Sequence, residues 1–425
     1  MTETREEKIF DKKISRRQML KMTGLGAAGV AIGATGFGGV IKTFGMDFFD
    51  DDSTSTNKVD FYGEHQSGIA TDVQTNIYFA SLNVLVTSKQ ELQELFKMWT
   101  PLAVRLMNGE MIGDPTTNGM IPPKDTGEAS GLDAANLSIT FGVGPSLFEK
   151  EEFGLAPKKP NELKDLPHFP KDQLDTAYTG GDICIQACAD DPQVAFHAVR
   201  NLVRAASGKV SLKWSQAGFN AFPVSKGKKQ TPRNLFAFKD GTENPTTSNK
   251  KDMNEVVWVQ SEDSKNWMTG GSYLVARRIQ LHLETWDRTS LKEQENTFGR
   301  HRDSGAPIGK KDEFEAMDID RKDDKGNYIV PETSHVFLAK SVDARILRRS
   351  YSYSSGVMDA TGSYDAGLLF VSFQKNPDQF IKIQKSLGRL DKMNEYITHR
   401  GSALFACFPG IQKGSYIGEA LFKTL

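Results

Sequence analysis

Four times along this chain a segment with the two-residue alternation of a β-strand gives way to one with helical periodicity. Asn76 to Val86 alternates, and Lys89 to Trp99 has helical spacing. Ile183 to Ala187 reads as a short strand. Asp191-Pro192 then opens a helix running to about Ala206, with Phe196, Val199, Leu202 and Val203 on one face. Ser272 to Glu284 alternates again, and Tyr273, Val275, Ile279, Leu281 and Leu283 are its inward or inter-layer groups. Thr289 to Asn296 follows as a short helix. Leu368 to Phe373 is a strand, and Pro377 to Leu387 is a helix begun by proline. Strands interleaved with helices that cover one face give an α+β architecture.

The chain has 425 residues, which at ~150 residues per domain suggests two or three domains. Two strand–helix units per domain predict duplicated ferredoxin-like domains with antiparallel sheets. The expected division is a leader and linker over residues 1–60, an N-terminal domain over 61–250 and a C-terminal domain over 251–425. The boundary falls near 245–270, where Asn244-Pro245 leads into the polar run 246–254. Apolar residues make up 38% of the chain and Phe occurs 26 times, so a sizeable core can form and global disorder is excluded. Lys and Arg number 53 against 54 Asp and Glu, a balance that disfavours a nucleic-acid wrapper. Three Cys cannot make a dense disulfide framework, and Cys184-x-x-x-Cys188 is one residue too long for a Cys-x-x-Cys redox motif. No stretch after residue 60 is long and apolar enough to cross a bilayer. Three long segments, 107–133, 154–179 and 299–327, either line a channel or decorate the surface.

Residues 1–21 carry seven Lys or Arg, and the twenty residues from Met22 to Ile41 carry no charge but seven Gly. At their junction, Ser15-Arg16-Arg17-Gln18-Met19-Leu20-Lys21 resembles the twin-arginine export signal, with Met19 in place of the usual Phe. That resemblance implies export of an already folded protein by the Tat translocase. It places the chain outside the cytoplasm: in the cell envelope, secreted, or in the periplasm of a Gram-negative source.

Chemistry-bearing residues concentrate in three segments. Asn234 to Pro245 contains Asp240-Gly241, either a bare turn or a carboxylate held to move a proton. Ser334 to Ala339 contains His335 at the start of an apolar run that reads as a strand. There a neutral imidazole needs a partner or a metal. Ala344 to Tyr353 contains adjacent Arg348 and Arg349, which on an extended segment point to opposite faces. Either one faces a buried oxidant while the other stays wet or meets a propionate, or the pair is simply a solvated basic edge.

Together, in this order and spacing, these segments resemble the dye-decolorizing peroxidases. The likeness is to the exported branch that includes the haem peroxidase or deferrochelatase of bacterial iron-uptake systems. The family's Gly-x-x-Asp-Gly motif stands here as Ala237 to Gly241, with Ala237 departing from it by one methyl. The resemblance implies a dimeric α–β-barrel-like arrangement, with one haem b between sheet and helices of the C-terminal half. It implies His335 as the iron ligand, Asp391 as the carboxylate behind its other ring nitrogen (with Glu395 a rival), and Asp240 and Arg348 as the catalytic pair. Gly241, Thr242 and Glu243 fall in the same cofactor-binding segment. The implied reaction reduces H2O2 and oxidises organic donors in one-electron steps, with Trp258, Trp267, Trp286 and Tyr351 to Tyr353 as relay candidates. The alternatives are a deferrochelatase that releases iron from haem to leave protoporphyrin, and a non-enzymatic haem-binding protein. Iron-uptake membrane proteins are the implied partners, and homo-oligomerisation is left open.

Overall fold

Short polar side chains set the starts of the helices by accepting hydrogen bonds from free amide groups. Ser88 caps α1, Lys89–Met107; Asp191 caps α2, Pro192–Ala205; Ser290 caps α3, Leu291–Phe298. Helix α4, His335–Lys340, follows Ser334, and Asn376 with Gln379 forms a capping box on α5, Pro377–Leu390. The computed structural model describes residues 57–225, 228–358 and 361–423. The twin-arginine run and the leader up to residue 56 lie outside the described residues.

Nine strands form the main sheet: β1 Asn76–Val84, β2 Ser138–Val143, β3 Ile183–Ala189, β4 Val210–Phe219, β5 Ser272–Leu281, β6 Leu347–Arg348, β7 Tyr351–Val357, β8 Tyr364–Gln374 and β9 Ile397–Cys407. Their order is β5-β9-β2-β3-β1-β4-β7-β8-β6, and β8 also pairs with β5, which closes the sheet into a barrel. Every pairing in it is antiparallel. The run β2-β3-β1-β4 and the run β7-β8-β5-β9 repeat one ferredoxin-like connectivity, with helices between the strands. The halves join at β9–β2 and β4–β7, so the fold is an α+β barrel built by repetition.

Some expectations shift. Helix α1 runs through Pro101 to Met107 instead of ending at Trp99, because Leu92, Leu95, Phe96, Trp99, Ala103 and Leu106 keep one buried stripe. On α2 the buried face carries Val194, Ala198, Val199 and Leu202, while Phe196 is exposed. Polar His197 and Asn201 take that side instead, because they bind Asp125 and Thr126 of the 107–133 loop. Strand β5 stops at Leu281, and Leu283 belongs to a short helical turn. All three Cys are buried and free within the barrel-lining cluster. Trp258, Trp267, Trp286, Tyr351 and Tyr353 are buried as well. Among the described residues, no helix is long and apolar enough to cross a membrane.

Candidate active site

A cavity of about 580 Å³ lies against the second half of the barrel, within the ~300–1,000 Å³ range of small-molecule sites. Apolar side chains from several elements line it, among them Phe238, Leu281, Phe298, Phe370, Phe380 and Leu387. His335, Asp391, Asp240, Arg348, Thr242 and Glu243 line it too.

His335 is the first residue of helix α4, not the start of a strand as its apolar neighbours suggest. Six residues are too few for periodicity to separate the two. The Leu338 amide bonds back to the Ser334 carbonyl and starts the helix. His335 Nδ1 lies 2.7 Å from Asp391 Oδ2. Asp391 ends α5 and caps the short helical turn Lys392–Glu395, where its other oxygen accepts from the Met393 amide at 2.9 Å. Its carboxylate is almost fully buried, so two bonds fix it in place. The pairing uses Asp391, not Glu395. An acceptor behind Nδ1 puts the ring proton there and leaves the Nε2 lone pair free. Nε2 has no hydrogen bond among the described residues.

Arg348 sits on β6 and its Nη1 donates to Asp240 Oδ1 at 2.5 Å. Sequence reading missed what places it: Asn244 brackets the Arg348 peptide. Asn244 Oδ1 accepts from the Arg348 amide at 3.0 Å, and its Nδ2 donates to the Arg348 carbonyl at 2.7 Å. Asn244 thus mimics a neighbouring strand and ties the Asp240 segment to β6. The Asp240 amide bonds to the Pro232 carbonyl at 2.9 Å. Three residues earlier, Ala237 has φ +68°, the left-handed region in which a Cβ is strained. Asn234 holds that turn through bonds from the Phe236 and Phe238 amides.

Arg349 neither stays wet nor reaches the main cavity. It is buried and donates to the carbonyls of Thr71 and Asp72 and to the Gln74 side chain, which makes it a structural tie. Gly241 lines a second hollow of about 380 Å³, which shares Asn234, Asp240, Arg348 and Leu368 with the main cavity. Thr242 donates to Glu313 at 3.0 Å, and Glu243 pairs with Arg300 at 2.8 Å. Of the three long segments, 299–327 supplies Arg300, Gly305 and Met317 to the cavity. Segments 107–133 and 154–179 supply none of its lining.

His399, also missed, lines the cavity from β9 and is almost wholly buried. Burial, then the nearby Arg277 and His335, push its pKa down to about 3, so it stays neutral. Its signal in the sequence was weak, a single His inside an apolar strand. Arg277 beside it is buried with Asp172 as its counter-ion.

Comparison with known proteins places this geometry. The family profile described as Dyp-type peroxidase, N-terminal, matches residues 66–220, and that described as Dyp-type peroxidase, C-terminal, matches residues 231–412. A protein of Shigella sonnei (strain Ss046) named deferrochelatase is 39% identical over 420 residues, covering 96% of this chain and 97% of that protein. A deferrochelatase of Escherichia coli (strain K12) is 38% identical over the same shares. Among solved structures, the oxyferrous complex of DtpA from Streptomyces lividans has a TM-score of 0.80 at 35% identity, covering 86% of this chain and 97% of that one. A DyP-type peroxidase from Cellulomonas bogoriensis has 0.77 at 33%, covering 86% and 98%. The chain therefore belongs to the Dyp-type peroxidases, a family of haem-dependent enzymes, and is related over nearly all its length to bacterial deferrochelatases.

Proposed function

We propose that the cavity binds haem b through His335 Nε2 and that the enzyme removes iron from haem, leaving protoporphyrin, in iron and haem utilisation outside the cytoplasm. The residues suit that ligand. The walls are apolar, the His335 imidazole, whose Nε2 makes no hydrogen bond among the described residues, is braced by Asp391, and Lys340 on the lining opposes the charge of porphyrin carboxylates. Iron leaving a porphyrin must be replaced by two protons on the ring nitrogens. Asp240 is placed to exchange protons at Oδ2, because Arg348 occupies only Oδ1. The observation that carries this reading is the name shared by relatives matching 96% of the chain at 38–39% identity.

Peroxide reduction with one-electron oxidation of organic donors is the second reading, and the Asp240–Arg348 pair favours it. When bound, haem supplies the redox-active iron for that reaction. Asp240 Oδ2 takes the proton from peroxide and returns it to the departing oxygen. Arg348 stays cationic and stabilises negative charge that develops on that oxygen. Export through the Tat translocase, contacts with iron-uptake membrane proteins and homo-oligomerisation belong to the same proposal.

One experiment separates the readings. Haem-loaded protein is held without peroxide while metal-free porphyrin fluorescence is followed. A parallel sample receives H2O2 and an organic donor. Porphyrin formation in the first sample supports iron release. Its absence, with rapid donor oxidation in the second, overturns that reading in favour of the peroxidase. Asp240→Asn and Arg348→Leu should each keep haem and slow the peroxide reaction by about 10²-fold.

A further inference from the structure

The Asp240 segment is short, irregular and carries one strained residue, so its carboxylate needs to be held from outside. Glu313, in the long connection between α3 and α4, lies against it. The Glu313 side chain is almost completely buried, yet it forms no part of a helix or strand. Its carboxylate collects three donors: Thr231 Oγ1, Lys239 Nζ and Thr242 Oγ1, the last at 3.0 Å. Lys239 immediately precedes Asp240, and Thr242 follows it by two residues. Arg300 completes the clasp. Its Nη1 donates to the carbonyls of Glu313 at 3.0 Å and Gly305 at 2.8 Å, and its Nη2 pairs with Glu243 at 2.8 Å. The loop reaches this close because residue 305 is glycine. At φ +77° an added Cβ would meet the Lys239 side chain at 2.6 Å. Burial raises the Glu313 pKa, but the bonds from Lys239, Thr231 and Thr242 outweigh it and keep the carboxyl below its usual range.

We infer that Glu313 is a positioning residue for Asp240: it pins the chain on both sides of that carboxylate and neutralises the neighbouring Lys239. The inference rests on the proposed proton-handling role of Asp240. Two mechanisms act together. The bonds to residues 239 and 242 fix the backbone that aims Asp240 at Arg348. The ion pair keeps the Lys239 ammonium away from Asp240, for which it would otherwise compete with Arg348. A carboxylate suits the position because an amide at 313 has no charge to balance Lys239 and only one acceptor oxygen where the carboxylate offers two.

The test is a double-mutant cycle on haem-loaded protein with two readouts, peroxide consumption and the rate at which cyanide binds the ferric protein. HCN must give up a proton on binding, so its rate reports the distal base. Glu313→Gln should slow both about tenfold, with haem content and KM for the organic donor unchanged. Adding Lys239→Met to it should restore most of the loss, because the freed ammonium is then gone. Asp240→Asn with Glu313→Gln should be no slower than Asp240→Asn alone. Full additivity of these two, or Glu313→Gln at the wild-type rate, overturns the inference. If Asp240→Asn itself leaves both rates unchanged, the functional reading of Asp240 has failed instead. A change in the apoprotein's thermal unfolding that matches the activity loss in every variant, with no rescue by Lys239→Met, assigns Glu313 a purely structural role and also overturns the inference.

Discussion

Single residues decide the geometry of this cavity, and two of them make sharp predictions. Ala237 has φ +68°, where a Cβ costs roughly 1–2 kcal/mol. Glycine relieves that strain but gains freedom in the unfolded chain, which returns about 0.4–1 kcal/mol. Ala237→Gly should therefore stabilise the protein by roughly 0.5–1 kcal/mol, seen as a higher urea midpoint with an unchanged slope. His399 gives a pH prediction. Its folded pKa of about 3 lies below the ordinary 6.5, so the native state refuses a proton that the unfolded chain accepts. This group costs nothing above pH ~6.5, and its penalty grows as pH falls toward 3. His399→Gln in the apoprotein should flatten the acid limb of the stability profile by roughly 2–4 kcal/mol at pH 4. Parallel wild-type and variant profiles between pH 7 and 4 would refute the burial argument.

At the scale of elements, the Asp240 segment and β6 behave as a strand pair made through one side chain. Asn244→Ala removes both bonds to the Arg348 peptide and leaves that peptide unpaired. It should cost about 1–3 kcal/mol in denaturant unfolding. It should also slow peroxide consumption toward the level of Arg348→Leu, since the Asp240 segment loses its tie to the strand that carries Arg348. Part of this level was legible in the sequence. Alternation located β1, β3, β5 and β8, and Asp191-Pro192 and Pro377 marked the starts of α2 and α5, but β2, β4 and β9 were not read and α1 runs on from Trp99 to Met107. Asp240, His335, Arg348 and Asp391 were found together because motif order carries over a family resemblance. The misses have physical causes. His335 opens a helix too short to show a period. Phe196 turned outward because His197 and Asn201 serve a loop far away in sequence. Asn244 and Glu313 act through contacts spanning 104 and 71 residues, which no local pattern records.

On the scale of the whole molecule, repetition and closure go together. Each half supplies four strands with the same connectivity, the second half adding the short β6, and each leaves edges that the other half covers. Uncovered edges invite strand addition. A chain divided at the proposed 250/251 boundary should therefore give two poorly soluble halves when expressed apart. Co-expressed, they should give one soluble complex, resolved by size-exclusion chromatography. Independent solubility of both halves would mean that closure of the barrel contributes little. The cavity lies against the second half, while the first half closes the sheet from which β5, β8 and β9 project cavity-lining residues.

The proposed haem ligation depends on the Nε2 lone pair of His335. It is most directly examined by titrating haem into the wild-type apoprotein and into His335→Ala while recording the Soret band. The wild type should take up one haem per chain with a sharp band. The variant should bind at least a hundredfold more weakly or give the broad spectrum of non-specific association. Equal affinity and an identical band in the two proteins would remove His335 from the iron and contradict the site described above.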